Sequence, residues 1–421
     1  MHRVVWDSEK DCTYLYDSGR SVKTLSGALG RALNGTGGPR TDIWRDMPRS
    51  HERLTRFGLL DESKTNIRVV PGSPHLKRLQ IEVSLRCNLR CSYCYSASGP
   101  WRTDRLQSQQ VRKLITEADL LGVLSLDFTG GEFLLDPDWR CYVELARAAG
   151  MLVTVHSNGT LIKDETARAL AELGVASVQV SLDSHIAEVH DRSRGHRGAL
   201  ARTLKGIEHL QRHGLDTRIS IMAHKGNTDS LGDSITELSR KFPKTRINVD
   251  RVVRTGGAVD AGNGLTAREF WSFLRPYINV NVQAGRICDS YGIDDYEPAC
   301  GVAYSYVYVT ANGEYAVCPT MTSRESDAFR GPLVDEVDLA TAWYDAELFT
   351  SFRHTNCENV TRCPAGRMCG GGCRSNAYVE EGYVTAPDVV SCNLLKNRTS
   401  VFLDFPKRYS EGDFGIADAG A

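Results

Sequence analysis

Three cysteines, Cys87, Cys91 and Cys94, share one short segment with the spacing CxxxCxxC. The segment comes directly after an apolar run typical of a β-strand, so the three thiolates are predicted to lie on one tight loop. Structural zinc sites and most iron–sulfur clusters are closed by four protein ligands. A set of three leaves one metal position open, and an open position is where chemistry can take place.

The other cysteines indicate further metal sites. The chain has 13 cysteines, of which eight are concentrated in its C-terminal third. These eight are Cys288, Cys300, Cys318, Cys357, Cys363, Cys369, Cys373 and Cys392. Cys12 and Cys141 stand apart from both groups. In a secreted protein such a set would predict disulfides, but the start MHRVVWDSEK lacks the apolar core of a signal peptide, which favours metal binding.

The composition is that of an ordinary globular protein of two or three domains. The 421 residues are 41% hydrophobic and 24% charged, with a net charge of −1. Without a basic excess the chain is not expected to bind nucleic acid or a membrane surface. We find no uninterrupted apolar run of about 18 residues, the length that a membrane span needs. These observations predict a cytoplasmic protein.

Six apolar, strand-like runs alternate with amphipathic helical patterns and must position the cysteine loop. The runs cover residues 79–85, 123–130, 152–158, 176–183, 218–224 and 246–253. The helical patterns include 107–121, 163–173, 199–213 and 230–241. Strict alternation predicts a parallel α/β sheet, either a partial or complete β/α barrel or a doubly wound sheet. In all of these, ligands bind at the carboxyl ends of the strands, where the cysteine loop begins.

The flanking segments predict separate units. Residues 1–74 are expected to form a small α+β module, with a strand at 12–19 and helices at 21–35 and 50–62. A winged-helix-like unit fits this order, and so does an embellishment packed on the barrel. The barrel is assigned to residues 75–262 and a cysteine-rich domain to 263–405, including a hairpin around Asn312-Gly313. Residues 406–421 are expected to form a disordered tail.

Polar residues follow the second, third and fourth strands, at the end of the sheet that carries the cysteine loop. They are Gly130, Gly131, Glu132, Ser157, Asn158, Ser181 and Asp183, followed by Arg194 in the run HDRSRG. Glycines let the backbone approach a ligand closely, and a carboxylate accepts hydrogen bonds from an ammonium group. The segments 157–159 and 181–183 also fit ordinary polar turns, and Arg194 also fits a surface salt bridge.

Cys87, Cys91 and Cys94, with Tyr93 before the last cysteine, closely resemble the cluster loop of radical S-adenosylmethionine (SAM) enzymes. The resemblance implies a 4Fe–4S cluster whose open iron binds SAM, and reductive cleavage of SAM to a 5′-deoxyadenosyl radical. It implies that Gly130, Gly131 and Glu132 bind the methionyl amine of SAM, although Phe133 stands where the family usually has proline. The remaining residues that the resemblance places around SAM are Tyr93, Ser157, Asn158, Ser181, Asp183 and Arg194.

The C-terminal cysteines resemble the SPASM extension of these enzymes, which carries two auxiliary 4Fe–4S clusters. The resemblance assigns Cys300, Cys318, Cys373 and, as the fourth ligand, Cys288 to auxiliary cluster I. It assigns Cys357, Cys363, Cys369 and Cys392 to auxiliary cluster II. Five residues separate Cys357 from Cys363 here, where the family has two. Zinc sites at both cysteine groups are the simpler alternative.

Together these features predict a radical SAM/SPASM peptide maturase that oxidises, and most simply crosslinks, a ribosomally made precursor peptide. The predicted partners are that peptide and a reducing protein such as flavodoxin or ferredoxin, and the N-terminal module is expected to bind the peptide's leader by strand addition. A formylglycine-generating protein oxidase and a radical dehydrogenase of a small molecule such as an amino sugar remain open. A non-catalytic iron–sulfur scaffold or electron carrier is the alternative from another class.

Overall fold

A computed structural model describes most of the central and C-terminal chain and part of the N-terminal segment. The described residues are 2–7, 9, 12–17, 21–26, 65–253, 262–274, 282–284, 301–322, 327–363, 366–369 and 371–393. The predicted helix at 50–62, the predicted tail and Cys288 and Cys300 lie outside them. Within the described part, no helix is long and apolar enough to cross a membrane.

Six parallel strands form the centre of the molecule and lie side by side in chain order. They are β5 (Arg78–Glu82), β6 (Ser125–Thr129), β7 (Leu152–Ser157), β8 (Ser177–Ser181), β9 (Asp216–Ala223) and β10 (Arg246–Arg251). A doubly wound sheet reverses its strand order at a switch point, whereas this order does not reverse. The architecture is therefore the α/β arrangement of a β/α barrel, and all six predicted strands are confirmed to within a few residues.

Amphipathic helices connect these strands, as the pattern of apolar residues predicts. They span Ser108–Leu120, Trp139–Ala148, Asp164–Glu172, Ala187–Arg194, Ala199–Arg212 and Thr228–Lys241, with a short 3₁₀ helix at Phe133–Leu135. Their apolar faces pack on a sheet whose interior includes the fully buried Ile81, Phe128, Val155 and Ile221. This packing fixes the positions of the strand ends, from which the site is built.

The N-terminal segment forms a second sheet, and one prediction about it is wrong. Its strands are β1 (His2–Asp7), β2 (Cys12–Asp17), β3 (Ser21–Ser26) and β4 (Thr65–Val69), in the order β3-β2-β1-β4. The helix predicted at 21–35 begins as strand β3, because residues 21–26 pair antiparallel with β2 and tertiary pairing overrides local helix propensity. The Arg3 guanidinium binds Asp119 and the carbonyl of Ala149, which docks this sheet on the barrel helices.

The C-terminal segment extends the central sheet. Strand β12 (Tyr306–Val309) lies parallel to β5, and β13 (Glu314–Ala316) and β14 (Arg330–Leu333) continue the sheet in antiparallel fashion. The β12–β13 hairpin confirms the prediction made from Asn312-Gly313, and Gly313 has the left-handed φ of +83° that such a turn needs. Strand β11 (Val282–Ala284) pairs with β10 at the other edge.

Short helices lie among the other described residues of the C-terminal segment. They are Ala267–Leu274, Pro319–Thr322, Leu339–Tyr344, Glu347–Phe352, Gly366–Cys369 and Arg374–Glu381, with a 3₁₀ helix at Asp327–Phe329. Strand β5, which leads into the cysteine loop, is thus flanked by β6 on one side and by the C-terminal β12 on the other. The loop lies where the barrel and the C-terminal segment meet.

Candidate active site

The cysteine loop leaves the carboxyl end of β5 and is held by backbone hydrogen bonds from two directions. The amide of Cys87 donates to the carbonyl of Gly99 at 3.2 Å. The amides of Arg90 and Ser92 donate to the carbonyls of Arg194 and Ser193, at 3.0 and 3.2 Å. Cys87 is buried, whereas Cys91 and Cys94 are half-buried. The loop is therefore fixed in position by its own strand and by the helix Ala187–Arg194.

Each of the three cysteine sulfurs has a nearby hydrogen-bond donor. The amide of Leu89 lies 3.4 Å from Cys87 Sγ, and the amide of Ser98 lies 3.3 Å from Cys94 Sγ. The guanidinium of Arg194 lies 3.8 Å from Cys91 Sγ. Donors of this kind stabilise sulfur ligands of iron–sulfur clusters and tune their potential. The loop thus offers three oriented sulfur atoms.

Burial makes free thiolates unfavourable in this loop. Desolvation, reinforced by the charge of Glu132, raises the pKa of Cys87 to about 12. Desolvation also raises the pKa of Cys91 to about 11, despite the opposing charge of Arg194. A bound cationic centre supplies the charge that stabilises such thiolates. Among the described residues, no three His, Cys, Asp or Glu side chains are grouped so that they could hold a single metal ion.

The Gly130-Gly131-Glu132 turn packs directly against the segment that leads into the cysteine loop. The amide of Gly131 donates to the carbonyl of Ser84 at 2.6 Å, and that of Glu132 donates to Arg86 at 3.0 Å. A Cβ atom added at Gly131 would lie 2.4 Å from the Arg86 carbonyl oxygen, closer than any real contact. Position 131 must therefore be glycine because two backbone segments approach closely there, independently of any ligand that the turn binds.

The Glu132 carboxylate is buried and organises the end of β7. It accepts hydrogen bonds from the Ser157 hydroxyl at 2.9 Å and from the amides of Asn158 and Leu134 at 2.8 and 3.1 Å. Burial raises the pKa of Glu132 and these hydrogen bonds oppose the shift. Because two carboxylate oxygens provide about four acceptor positions, one remains for a further hydrogen-bond donor.

Asn158 links the third strand end to the cysteine loop. Its side-chain amide donates to the Asn88 side-chain oxygen at 2.9 Å and lies 3.8 Å from Cys87 Sγ. Its own oxygen accepts hydrogen bonds from the amide and hydroxyl of Thr160, at 2.9 and 2.6 Å. Ser157 and Asn158 thus lie beside Glu132 and Cys87, as the sequence predicts for residues of one site.

Asp183 and Arg194 bind each other in the structure. The Arg194 guanidinium lies 2.7 Å from one oxygen of Asp183, and both side chains are buried. The same carboxylate accepts hydrogen bonds from the hydroxyls of Tyr93 and Ser193. Burial alone would raise the pKa of Asp183, but Arg194 and its other partners outweigh it and hold the pKa below its usual value. Arg194, a candidate partner for the carboxylate of SAM, therefore also anchors the cysteine loop through Asp183 and Tyr93.

His224, at the end of β9, lies against Tyr93 with 5.0 Å between the ring centroids. Its Nδ1 accepts a hydrogen bond from the amide of Gly226 at 3.1 Å, which places the proton on Nε2. That Nε2 is buried and has no hydrogen-bond partner among the described residues. Burial lowers the pKa of His224 and favours the neutral ring. A lone histidine carries no sequence signal, so only the tertiary contact with Tyr93 brings it into the site.

Glu82 is a third buried carboxylate of the site, and sequence reasoning missed it. It is the last residue of β5. Its carboxylate accepts hydrogen bonds from the Ser96 hydroxyl at 2.5 Å and from the amide of Ala311 at 3.3 Å. It thus joins the cysteine loop to the β12–β13 hairpin. Desolvation raises its pKa, opposed by these hydrogen bonds. A carboxylate within the apolar run LQIEVSL is the signal that could have found it.

The structure brings part of the C-terminal cysteine group together. The charges of Cys392 and Cys357 both act on Cys369, whose pKa burial raises to about 11, so these three lie near one another. The Thr320 hydroxyl lies 3.1 Å from Cys318 Sγ and donates to the Ser375 hydroxyl at 2.8 Å, two residues beyond Cys373. Cys363 is exposed. The described residues include six of the eight C-terminal cysteines, and five of these six fall into the two neighbourhoods.

Asp388 organises this cysteine-rich region. Its buried carboxylate accepts hydrogen bonds from the amides of Cys373 and Val390, at 2.9 and 3.1 Å, and from the Ser391 hydroxyl. Gly371 has a left-handed φ of +91°, and a Cβ there would lie 1.9 Å from the Asn356 side-chain oxygen. One carboxylate and a glycine turn therefore set the backbone between Cys369 and Cys392.

The parallel α/β sheet and the three-cysteine loop at its carboxyl end define a cofactor-binding enzyme fold of the radical SAM class. Residues 81–238 match the model of the radical SAM superfamily. The chain is 34% identical over 323 residues to the "Antilisterial bacteriocin subtilosin biosynthesis protein AlbA" of Bacillus subtilis (strain 168), covering 70% of this chain and 68% of that protein. The chain therefore belongs to the radical SAM superfamily.

Further similarities extend over most of the chain. A "PqqA peptide cyclase" of Streptomyces rochei is 28% identical over 337 residues, covering 76% of this chain and 90% of that protein. An "AdoMet-dependent heme synthase" of Oleidesulfovibrio alaskensis is 25% identical over 341 residues, covering 74% and 86%. The crystal structure of Streptococcus suis SuiB bound to precursor peptide SuiA superimposes with a TM-score of 0.69 at 17% identity, covering 93% of this chain and 98% of that chain.

The residues present fit the cofactors that the family implies. Cys87, Cys91 and Cys94 offer three sulfur atoms as metal ligands. Each sulfur lies near an amide or guanidinium group that can donate a hydrogen bond to it. Glu132 has an acceptor position left, and the buried Nε2 of His224 is a donor that has no acceptor among the described residues. Leaving a buried donor without a partner costs about 1–3 kcal/mol, which a bound ligand offering an acceptor would recover. The site therefore suits a 4Fe–4S cluster together with a polar small molecule such as SAM.

Proposed function

We propose that the protein is a radical SAM/SPASM enzyme that oxidatively modifies, most simply by crosslinking, a ribosomally made precursor peptide in the cytoplasm. The observation that carries the proposal is the cysteine loop held against the Glu132 turn and the Asp183–Arg194 pair at the carboxyl end of a parallel sheet. Similarity to the peptide cyclase and to the peptide-bound SuiB supports a peptide as substrate.

When bound, the cluster and SAM would supply radical chemistry, the abstraction of a hydrogen atom from the substrate. Cys87, Cys91 and Cys94 hold the cluster, with Tyr93 packed beside them. Gly130, Gly131 and Glu132 receive the amine of SAM, and Ser157, Asn158 and Ser181 line the rest of its pocket. Asp183 and Arg194 hold the cysteine loop and Tyr93 in place. They thereby orient SAM indirectly, by fixing the positions of these neighbouring groups.

The C-terminal cysteines would hold two auxiliary 4Fe–4S clusters, which would supply an acceptor for the one electron that an oxidised substrate gives up. Cluster I takes Cys288, Cys300, Cys318 and Cys373, and cluster II takes Cys357, Cys363, Cys369 and Cys392. The link from Cys318 through Thr320 to Ser375 supports the first set. The proximity of Cys357, Cys369 and Cys392 supports the second.

The N-terminal module, residues 1–74, recognises the leader segment of the peptide. Among the described residues β3 is an edge strand of the N-terminal sheet, and a peptide can add to such an edge through its backbone. Recognition there leaves the far end of the peptide free to enter the carboxyl end of the barrel. This separation of recognition from chemistry suits a long, flexible substrate.

The test is an anaerobic incubation of reconstituted enzyme with SAM, a reductant and the peptide encoded beside its gene. We expect 5′-deoxyadenosine together with a peptide that has lost a pair of hydrogens, measured by chromatography and mass spectrometry. Formation of 5′-deoxyadenosine with an unchanged peptide would contradict the peptide assignment. Protein that binds no SAM after reconstitution would contradict the enzyme assignment and favour an iron–sulfur scaffold.

A further inference from the structure

Five arginines on the outer side of the cysteine loop carry exposed side chains. They are Arg86, Arg90, Arg192, Arg197 and Arg202. In the described part of the chain none of the five forms a salt bridge, whereas other exposed arginines such as Arg212 and Arg240 do. We call these five residues the arginine face. Unpaired guanidinium groups keep their full charge available for a partner.

Backbone contacts hold the two segments that carry the five arginines next to each other. Arg90 donates its amide to the carbonyl of Arg194, and Gly195 packs on the Arg90 carbonyl, where a Cβ would lie at only 2.4 Å. The segment from Arg192 to Arg202 is therefore held beside the cysteine loop. Arg202 continues the surface through a 2.8 Å contact with the ring of His196.

The same surface carries an exposed aromatic side chain. Trp101 is 61% exposed, and the Arg90 guanidinium lies 5.8 Å from its ring centroid. Exposed tryptophan and arginine are the residues most enriched at protein–protein interfaces. The nearby carboxylate of Asp191 accepts hydrogen bonds from the amides of Gly198 and Leu200. The surface therefore combines positive charge with an apolar contact point.

The arginine face lies directly over a proposed cluster ligand. Cys91 is half-buried and stands between two exposed residues, Arg90 and Ser92. Because the whole chain has a net charge of only −1, this local positive charge is a specific feature of the surface. Such a patch attracts an acidic macromolecule and orients it on approach.

We propose that the arginine face is the docking surface for an acidic one-electron donor protein of the flavodoxin or ferredoxin kind. The inference rests on the proposed function, because it needs a redox centre at Cys87, Cys91 and Cys94. One electron passes from the reduced donor to that centre, the donor is oxidised by one electron, and no bond or proton is exchanged. Docking here places the donor over Arg90 and Ser92, the exposed residues on either side of the half-buried Cys91.

The experiment measures binding of an acidic bacterial flavodoxin to the reconstituted holoenzyme at increasing salt concentration. We expect affinity to fall as salt rises, because exposed charges are screened. The variant Arg192→Glu/Arg197→Glu should bind about tenfold more weakly. The matched control is Lys244→Glu/Arg246→Glu, which reverses two exposed charges at the opposite, amino-terminal end of β10 and should bind like the unchanged enzyme.

A second readout separates docking from catalysis. With dithionite as reductant, the Arg192→Glu/Arg197→Glu variant should form 5′-deoxyadenosine as fast as the unchanged enzyme, and with flavodoxin it should be slow. If the charge reversal prevents folding, Arg192→Gln/Arg197→Gln replaces it. This variant should also form 5′-deoxyadenosine at the unchanged rate with dithionite and more slowly with flavodoxin, with a smaller loss of rate than the charge reversal.

Three outcomes would overturn the docking assignment. They are salt-independent flavodoxin binding, an equal loss in the control variant, and a variant that loses affinity for the precursor peptide instead of flavodoxin. Failure of the unchanged enzyme to cleave SAM with dithionite would contradict the proposed function instead, and the flavodoxin binding data would still be interpretable.

Discussion

The two cysteine regions of this protein are held in different ways. The loop from Cys87 to Cys94 lies at the end of a buried parallel sheet, and each sulfur has a nearby amide or guanidinium donor. The described C-terminal cysteines lie on short helices and turns, organised around Asp388 and a glycine turn, and Cys363 is exposed. The loop is thus preorganised by protein contacts, whereas we expect the C-terminal region to take much of its stability from bound clusters.

The largest expected effect separates the two regions by function. Replacing Cys87, Cys91 and Cys94 with alanine should abolish 5′-deoxyadenosine formation, because no ligands remain for the cluster that activates SAM. Replacing Cys318 and Cys373 with alanine should leave 5′-deoxyadenosine formation in place but stop peptide modification, since the substrate electron then has no acceptor. Chromatography of the nucleoside and mass spectrometry of the peptide measure both. Continued SAM cleavage by the triple variant would refute the assignment of the loop.

A second large effect should come from the ion pair that anchors the loop. Arg194→Leu leaves the Asp183 carboxylate buried and unpaired, and we expect it to lower the free energy of unfolding by about 3–5 kcal/mol. Arg240→Leu, which removes an exposed pair with Glu237, should cost about 0.5 kcal/mol or less. Chemical denaturation of both variants checks the difference. A loss of the same size in both would show that the buried pair does not hold the loop.

The same pair gives a pH dependence whose sign follows from Asp183. In the unchanged protein the pKa of Asp183 is lowered by folding, so its contribution is complete above the pKa of the unfolded chain and is lost as pH falls through the folded value. In Arg194→Leu the buried carboxylate should instead have a raised pKa, and its penalty should shrink as pH falls. Denaturation between neutral and mildly acidic pH should therefore show the variant approaching the unchanged protein.

A smaller and local effect is expected from Asp388→Ala. The substitution removes the acceptor for the amides of Cys373 and Val390 and should lower the iron content of the reconstituted protein. Hydrogen exchange should rise across 371–393 and stay unchanged across 85–99, because the cysteine loop has its own anchors. Asp335→Ala, an exposed carboxylate of the same half of the chain, is the control. Equal loss of protection in both segments would contradict the independence of the two regions.

The smallest effect concerns His224, whose buried Nε2–H has no hydrogen-bond partner among the described residues. His224→Asn keeps an acceptor in the place of Nδ1 and removes that donor, so SAM binding should weaken about five- to tenfold, the value of one hydrogen bond. His224→Gln restores a donor near the Nε2 position and should recover most of the affinity. Calorimetric titration with SAM distinguishes the two. Unchanged affinity in His224→Asn would place His224 outside the SAM site.

Much of the barrel could be predicted because its signals are local. Apolar runs of strand length alternate with helical patterns, and Asn312-Gly313 encodes a turn by its own backbone preference. The helix predicted at 21–35 was wrong at its start for the opposite reason, since only pairing with β2 makes residues 21–26 a strand. The ligand assignments of the eleven cysteines stay predictions, and Cys288 and Cys300 lie outside the described residues.

The sequence by itself determined the chemistry of the site, because CxxxCxxC, the Gly-Gly-Glu turn and the C-terminal cysteine spacing are patterns of residue type along the chain. Only the tertiary structure decided which groups act on one another. It paired Arg194 with Asp183, brought His224 against Tyr93 and joined Glu82 to the C-terminal hairpin, and the last two contacts join segments far apart in sequence. The physical reason is that a buried charge or hydrogen-bond donor is unfavourable without a partner. The order of strands in the sheet determines which group is close enough to be that partner.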